Sequence, residues 1–423
     1  MEDTFRALTH AAHSGEPLPQ GKELAAILTD LVAVESAPGG PYFSEFSREG
    51  NTKGKITAGA NRAIAEFLAL YDIELPALAR YVSSAPRKSM PNQKTKKLLH
   101  TEEEKMMALI RRAWKKRCAA FPAEIGKRAE HIMERTITGN PDMQMSLMAL
   151  YMHQALGSKK NTSASVLLAD MGLANIFFWS AFIVYDDFWD EDEAADPKHL
   201  PIANLFARHY TDFFSHILPE KTGFRKFFHE LMDKLDAANA WETAHCRMKI
   251  KDGVAHVPEK LPEYGDYEKK FAPASGHIFG PLALLVKKGY SLRGTEAKNL
   301  IDYFRHYLIS MQINDDAHDW EEDLRRGHIS TVVDMLLRDY GKKEIHIDRD
   351  LSALQQTFWW KTIKKSAEKA LVHTQKSRRA LGRMKSIQNP APLLRYIENC
   401  EKVANEALTE QKNSEEFLQS WNK

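Results

Sequence analysis

Two acidic clusters contain the side chains whose type and spacing could do chemistry. The first, at residues 186–190, reads DDFWD, and the second, at residues 315–319, reads DDAHD. Each follows a mostly apolar stretch of chain, where crowded carboxylates would repel one another and would be costly to bury. A hard cation such as Mg²⁺ compensates for this crowding, and phosphate oxygens can complete its coordination. We therefore predict one shared metal site for a phosphate-bearing substrate.

Helical geometry determines how the three aspartates of the first cluster could act. In a helix, Asp186 and Asp190 lie one turn apart on the same face, whereas Asp187 points about 100° away from them. We predict all three as metal ligands, and we assign catalytic importance to Asp186 and Asp190.

The second cluster continues along the chain with the same helical spacing. Asp315, Asp319 and Asp323 would form a stripe whose outer members lie about 12 Å apart, a length that suits several ions better than one. Asp316 would lie beside this stripe. Acidic runs are commonly solvated, but aspartate is a poorer helix former than glutamate, so its repeated use favours a ligand function. We predict these four aspartates as metal ligands and Asp315 as catalytic.

The elements that must position these clusters are helices. Strand signals are scarce, and apolar residues recur at three- and four-residue spacing between strong helix formers. With 423 residues, of which 43% are hydrophobic, the chain can bury a large core. We predict an all-α fold in which residues 164–184, a long apolar run, form a buried core helix and do not span a membrane.

The composition also divides the chain. Residues 85–103 are polar, basic and punctuated by proline, which is typical of a linker. We predict a small helical accessory region at residues 1–84 and a single helical bundle at residues 104–423.

The charge balance and the cysteines limit the partners and the compartment. The 59 basic and 57 acidic side chains nearly cancel, which gives no support for binding to nucleic acid or to an anionic membrane surface. The first residues lack the basic and apolar segments of a secretory signal, and the three cysteines have no metal-binding spacing. We expect a cytoplasmic protein in a reducing compartment.

From about residue 105 onward the chain resembles the class I isoprenoid synthase superfamily, which includes trans-prenyl diphosphate synthases and class I terpene synthases. Residues 186–190 look like the first aspartate-rich motif of that superfamily, and QINDDAHD at residues 312–319 looks like the second. YEKKFA at residues 267–272 is similar to the segment whose lysine, here Lys270, holds the diphosphate. The resemblance implies the α-helical bundle of that superfamily, a prenyl diphosphate substrate, three Mg²⁺ ions and a homodimer.

Departures from the prenyl diphosphate synthases favour the terpene synthase branch. Chain-elongating members carry an arginine pair shortly after the first motif, but residues 196–201 read DPKHLP. GSKKNTS at residues 157–163 resembles their isopentenyl diphosphate segment without its arginines. Arg395 and Tyr396 are similar to a late pair that contacts diphosphate in terpene synthases. We therefore predict a terpene synthase that ionises an allylic prenyl diphosphate and cyclises or rearranges the carbocation.

Further residues would hold the diphosphate and line the hydrocarbon pocket. Cationic side chains can neutralise charge on a leaving diphosphate. The resulting candidates are Lys270, Arg325, Arg326 and Arg395, with Tyr396 beside the last. Aromatic faces can stabilise a carbocation and exclude water. The pocket residues that we predict lie one to two turns before each cluster: Phe178, Trp179, Phe182, Tyr307, Leu308 and Met311.

Besides terpene synthesis, we weigh three alternative functions for the two acidic clusters. The first is chain elongation with isopentenyl diphosphate by a trans-prenyl diphosphate synthase. A di-iron carboxylate protein would need two Glu-x-x-His segments, and only residues 242–245 fit. A catalytically silent helical subunit would have no reason to keep so many crowded carboxylates.

Overall fold

A computed structural model describes the chain in five stretches: residues 93–139, 143–158, 162–189, 195–264 and 276–421. Two residues of the predicted site, Asp190 and Lys270, lie outside these stretches, as does the predicted accessory region at residues 1–84. The expectations for them stay predictions.

The described part of the chain is almost wholly helical, which confirms the all-α prediction. The helices of its first half are α1 (Gln93–Cys118), α2 (Ala123–Thr138), α3 (Gln144–Ala155), α4 (Thr162–Trp189), α5 (Leu200–His216) and α6 (Phe224–His245). Those of its second half are α7 (Phe279–Lys287), α8 (Thr295–Arg326), α9 (Thr331–Tyr340), α10 (Ile347–Thr357), α11 (Ile363–Gly382) and α12 (Ala391–Trp421). Short 3₁₀ turns at Pro197–His199 and Glu220–Thr222 precede α5 and α6, and a π-helical segment at Phe358–Thr362 joins α10 to α11.

Helix α1 begins inside the predicted linker. Its first residue is Gln93, so residues 93–103 are helical although their sequence is polar and basic. Gln, Lys and Leu are strong helix formers, so the polarity that favoured a linker does not oppose a helix. The boundary at residue 104 stays a prediction.

Helix α4 is the central helix of the first half, and it packs against α1, α2, α3 and α5. Gly172 permits a close approach, because a Cβ there would lie 2.4 Å from the Ser146 carbonyl oxygen of α3. The segment Ser163–Trp189 is long and apolar enough to cross a membrane, yet 67% of its most apolar window is buried inside the bundle. Core packing explains this apolar sequence, in agreement with the predicted core helix.

Helix α8 is the central helix of the second half. It packs along α11 and also contacts α9 and α12. Near its C-terminus Trp320 stacks on Phe358 of the π-helical segment, with ring centroids 5.1 Å apart. These contacts hold the part of α8 that carries the second acidic cluster.

A small antiparallel sheet is the main difference from the sequence prediction. Its strands, in spatial order, are β1 (Lys249–Lys251), β2 (Val254–His256) and β3 (Glu344–His346). Asp252 and Gly253 have φ angles of 50° and 72° in the turn between β1 and β2. A two-residue hairpin turn needs positive φ at both positions, and Asp-Gly is a favoured pair there. The sheet attaches the chain after α6 to the segment between α9 and α10.

Candidate active site

A cavity of about 390 Å³ contains residues of both acidic clusters in its wall. It lies between α4, α6 and α8, and its volume is typical of a small-molecule site. One part of the wall is acidic, and another part is apolar and aromatic. The cavity could therefore hold a ligand with one charged end and one hydrocarbon end.

Aspartates from two helices line this cavity. Helix α4 contributes Asp186 near its C-terminus, and α8 contributes Asp315, Asp319 and Asp323. The three positions on α8 recur at four-residue intervals, so the helix presents them on one side. The structure thus gathers these residues of the two clusters around one space.

Removal from bulk water and crowding change the acidity of these carboxylates. Removal from bulk water, followed by the negative charges of Asp319 and three further aspartates, raises the pKa of Asp315 to about 7. One of the three is Asp186, so the first cluster acts electrostatically on the second. The same removal from water, with Asp323 as the leading charge, raises the pKa of Asp319 to about 6. Both residues keep contact with solvent, which screens part of the repulsion, and a bound cation would relieve the rest.

Asp187 faces α2 instead of the cavity. Its carboxylate accepts hydrogen bonds from both terminal nitrogens of Arg135, at 3.0 and 3.2 Å, and the residue is buried. The helical offset of about 100° from Asp186 explains this direction. The ion pair occupies both carboxylate oxygens, so we leave Asp187 out of the proposed metal ligands.

Asp316 lies in the cavity wall but is held by its own hydrogen bonds. It is 4% exposed. Its oxygens accept hydrogen bonds from Gln312 Nε2 and from the Thr331 backbone N–H, each at 2.9 Å. The second bond places a carboxylate at the N-terminus of α9, where the helix dipole favours negative charge. Asp316 therefore anchors α9 to α8.

Asp323 belongs to a cluster that the sequence analysis does not predict. His328 lies between two carboxylates, with its Nδ1 3.2 Å from Asp323 and its Nε2 3.0 Å from Glu242. All three side chains line the cavity. Because Glu242 belongs to α6, the histidine links the end of α8 to α6.

The donor set suits Mg²⁺, although the described residues do not form a complete cage. Within the described stretches, no three carboxylate, thiol or imidazole groups converge closely enough to hold one ion together. Mg²⁺ usually keeps several waters and is held by one or two carboxylates together with substrate phosphates. Asp186, Asp315 and Asp319 offer such carboxylates, and a cation would offset the removal from water and the crowding that raise the pKa values of the last two. The number of three ions stays a prediction.

Of the two arginines that end α8, one lines the cavity. Arg326 lies in the cavity wall and pairs with Glu322 at 2.6 Å. Arg325 pairs instead with Glu321 and with Asp348 of α10, the latter at 2.9 Å. Arg325 therefore ties α8 to α10, and Arg326 is the candidate that has access to a ligand.

Arg395 and Tyr396 lie in the bundle away from the cavity. Arg395 Nη1 donates to Glu103 of α1 at 2.9 Å, and its guanidinium lies 3.9 Å from the Tyr151 ring centre. Tyr396 is 1% exposed. Glu103 neutralises the arginine and Tyr151 covers it, and neither Arg395 nor Tyr396 lines the cavity.

Most of the predicted pocket residues form the apolar wall. Those that line the cavity are Phe178, Trp179, Phe182, Leu308 and Met311. The rings of Phe178 and Phe182 pack together with their centroids 4.2 Å apart. Tyr307 is buried behind this wall, and its hydroxyl donates to Gln144 of α3.

The cavity wall also contains two arginines that are not predicted from the sequence, Arg247 and Arg305. Arg305 lies about three turns before Asp316 on the same face of α8, so helical spacing from the acidic cluster could have indicated it. Arg247 follows α6 outside any acidic motif, and we find no local signal that distinguishes it from a surface arginine.

Comparison with known proteins supports the fold. No family model matches the chain, and no curated protein sequence matches it. A solved structure with a similar fold is the geranylgeranyl pyrophosphate synthetase from the archaeon Geoglobus acetivorans, with a TM-score of 0.51 and 14% sequence identity. The likeness covers 71% of this chain and 98% of that chain. The chain thus shares an all-helical fold with that solved structure, which confirms the predicted fold class.

Proposed function

We propose that the protein is a Mg²⁺-dependent isoprenoid synthase that ionises an allylic prenyl diphosphate. The observation that carries this proposal is the cavity in which Asp186 of α4 and Asp315 of α8 adjoin an aromatic wall. A prenyl diphosphate has a charged end and a hydrocarbon end, and this cavity offers a suitable surface to each. The likeness in fold to a geranylgeranyl pyrophosphate synthetase supports the same class of substrate.

Each part of the cavity has its own task in this proposal. Asp186, Asp315 and Asp319 hold Mg²⁺, which, when bound, supplies positive charge to the diphosphate leaving group. Arg326 can donate hydrogen bonds to phosphate oxygens from the same wall. Phe178 and its aromatic neighbours exclude water and present ring faces to the carbocation.

Within this class we propose terpene synthesis from a single substrate. The absence of the expected arginines from residues 157–163 and 196–201 supports this branch, because chain elongation needs a second diphosphate site. The second candidate is chain elongation itself, because the solved structure of similar fold is named a geranylgeranyl pyrophosphate synthetase.

Product analysis distinguishes the two reactions. The purified full-length protein is incubated with Mg²⁺ and geranyl, farnesyl or geranylgeranyl diphosphate, with and without isopentenyl diphosphate. A hydrocarbon or alcohol from one substrate supports terpene synthesis, whereas longer diphosphates that form only with isopentenyl diphosphate support elongation. If no pyrophosphate is released under either condition, the proposed class is wrong.

A pair of variants on α8 tests whether the cavity is the reaction site. Asp315→Asn should abolish either activity, because the amide cannot replace a charged metal ligand. Asp302→Asn is the matched control, since this residue lies on the same helix roughly four turns earlier and outside the cavity wall. Equal losses in both variants would contradict a specific role for Asp315.

A further inference from the structure

We infer that Arg247 is a positioning residue that sets the separation of the two aspartate-bearing helices, and through it the affinity for Mg²⁺ and diphosphate. The inference rests on the proposed function. It concerns a residue outside both acidic motifs, at the point where the C-terminal ends of α4, α6 and α8 come together.

The side chain of Arg247 joins the ends of α4 and α6. Its Nη2 donates to the carbonyl oxygen of Trp189, the last residue of α4, at 2.9 Å. Its Nη1 donates to the carbonyl oxygen of Cys246, which caps α6, at 3.1 Å. Carbonyl groups at helix C-termini carry partial negative charge, so a guanidinium fork is well suited to hold two of them.

The backbone around Arg247 is joined to the end of α8. Arg247 forms an isolated antiparallel bridge with His328, and the Met248 N–H donates to the Gly327 carbonyl oxygen at 2.7 Å. Gly327 has a φ of +75°, and a Cβ there would lie 2.5 Å from the Met248 carbonyl oxygen. This close approach requires glycine, and it fixes Arg247 beside the C-terminus of α8.

Arg247 thereby connects two helices that have little direct contact. Among the described residues, α4 and α8 are not a closely packed pair, because the cavity lies between them. The separation of Asp186 and Asp315 therefore depends on what ties the helix ends together. Arg247 reaches α4 through its side chain and α8 through its backbone, which makes it such a tie.

A second explanation is that Arg247 acts only as a charged contact for diphosphate, since it also lines the cavity. Arg247→Lys separates the two explanations. Lysine keeps the positive charge, but it lacks the fork that donates to two separate carbonyl oxygens. A charge contact would survive this change in large part, and the tie between helices would not.

The test is a Mg²⁺ titration of the full-length protein in the presence of inorganic pyrophosphate, followed by calorimetry. Arg247→Lys and Arg247→Gln should each weaken Mg²⁺ binding about tenfold or more, the size of effect usual for residues that orient metal ligands. Arg338→Gln is the matched control, because Arg338 also donates to a backbone carbonyl, that of Pro262 at 3.3 Å, but lies away from the cavity. It should leave Mg²⁺ binding unchanged. Circular dichroism verifies that each variant is folded.

Four results would overturn the inference. Unchanged Mg²⁺ affinity in both Arg247 variants would show that Arg247 does not hold the two helices in place. Mg²⁺ affinity that is retained by Arg247→Lys but lost in Arg247→Gln would identify a charge contact instead. An equal loss in Arg338→Gln would identify a general loss of stability. Failure of the wild-type protein to bind Mg²⁺ with pyrophosphate would instead refute the proposed function, and the inference with it.

Discussion

The carboxylate of Asp187 and the guanidinium of Arg135 form a two-point ion pair, at 3.0 and 3.2 Å, that joins α4 to α2. The preceding residue, Asp186, lines the cavity. One step along the helix thus separates a proposed metal ligand from a residue that holds two helices together.

This difference predicts opposite phenotypes for two neighbouring substitutions. Asp187→Asn should lower the free energy of unfolding by about 1–3 kcal/mol, because it removes a charged hydrogen-bond acceptor from a part-buried arginine. Its Mg²⁺ affinity should stay close to that of the wild type. Asp186→Asn should abolish Mg²⁺-dependent pyrophosphate binding and change stability little. Chemical denaturation and calorimetry measure the two quantities, and loss of metal binding in Asp187→Asn would return that residue to the metal site.

Features that depend on local spacing could be predicted from the sequence. The apolar run of α4 predicts a buried helix, and the four-residue interval of Asp315 and Asp319 predicts a shared face. The same helical spacing predicts that Asp187 points in a different direction from Asp186. The Asp252-Gly253 turn was a readable hairpin signal as well.

Features that depend on distant partners could not be predicted in this way. Arg395 is held by Glu103, which precedes it by most of the bundle, and no local pattern connects the two. Arg247 differs from a surface arginine only because three helix ends meet beside it. Such positions follow from tertiary packing, which a single sequence does not display.

Stability and metal binding should respond to pH in opposite directions. The pKa values of Asp315 and Asp319 are raised to about 7 and about 6, above the usual value of about 4 for aspartate. The folded state therefore binds more protons than the unfolded state between about pH 4 and pH 7, and the metal-free protein loses stability as the pH rises through this window. Mg²⁺ requires the charged carboxylates, so its affinity should increase over the same window.

Thermal denaturation in a chelator, at about pH 5 and about pH 8, measures the contribution of these groups to stability. Asp315→Asn should reduce the difference between the two melting temperatures, because the amide does not titrate. Asp302→Asn should leave the difference as in the wild type. If the three proteins show the same pH dependence, the crowding of Asp315 has no energetic effect.

The aromatic wall should limit the length of the substrate. Phe182 lies one turn before Asp186 in the cavity wall, so Phe182→Leu should enlarge the space next to the acidic cluster. The ratio of kcat/KM for geranylgeranyl over geranyl diphosphate should rise by about tenfold, the usual effect of small volume changes in an apolar pocket. Phe177→Leu is the control, because Phe177 packs on Phe206 of α5 outside the cavity, with ring centroids 5.4 Å apart. A similar rise in both variants would contradict a specific role for Phe182.

Substitution of Arg395 tests whether this residue binds diphosphate, as the sequence resemblance implies, or stabilises the bundle through Glu103, as its position indicates. Its guanidinium pairs with Glu103, whose side chain is 8% exposed, so Arg395→Gln leaves a buried carboxylate without its counter-ion. We expect Arg395→Gln to lower the free energy of unfolding by about 3 kcal/mol. The folded fraction of this variant should bind Mg²⁺ and pyrophosphate as the wild type does. Arg326→Gln should show the reverse, with weaker pyrophosphate binding and nearly unchanged stability, because Arg326 lines the cavity and Arg395 does not. Weakened pyrophosphate binding in folded Arg395→Gln would mean that Arg395 reaches the diphosphate despite its pairing with Glu103.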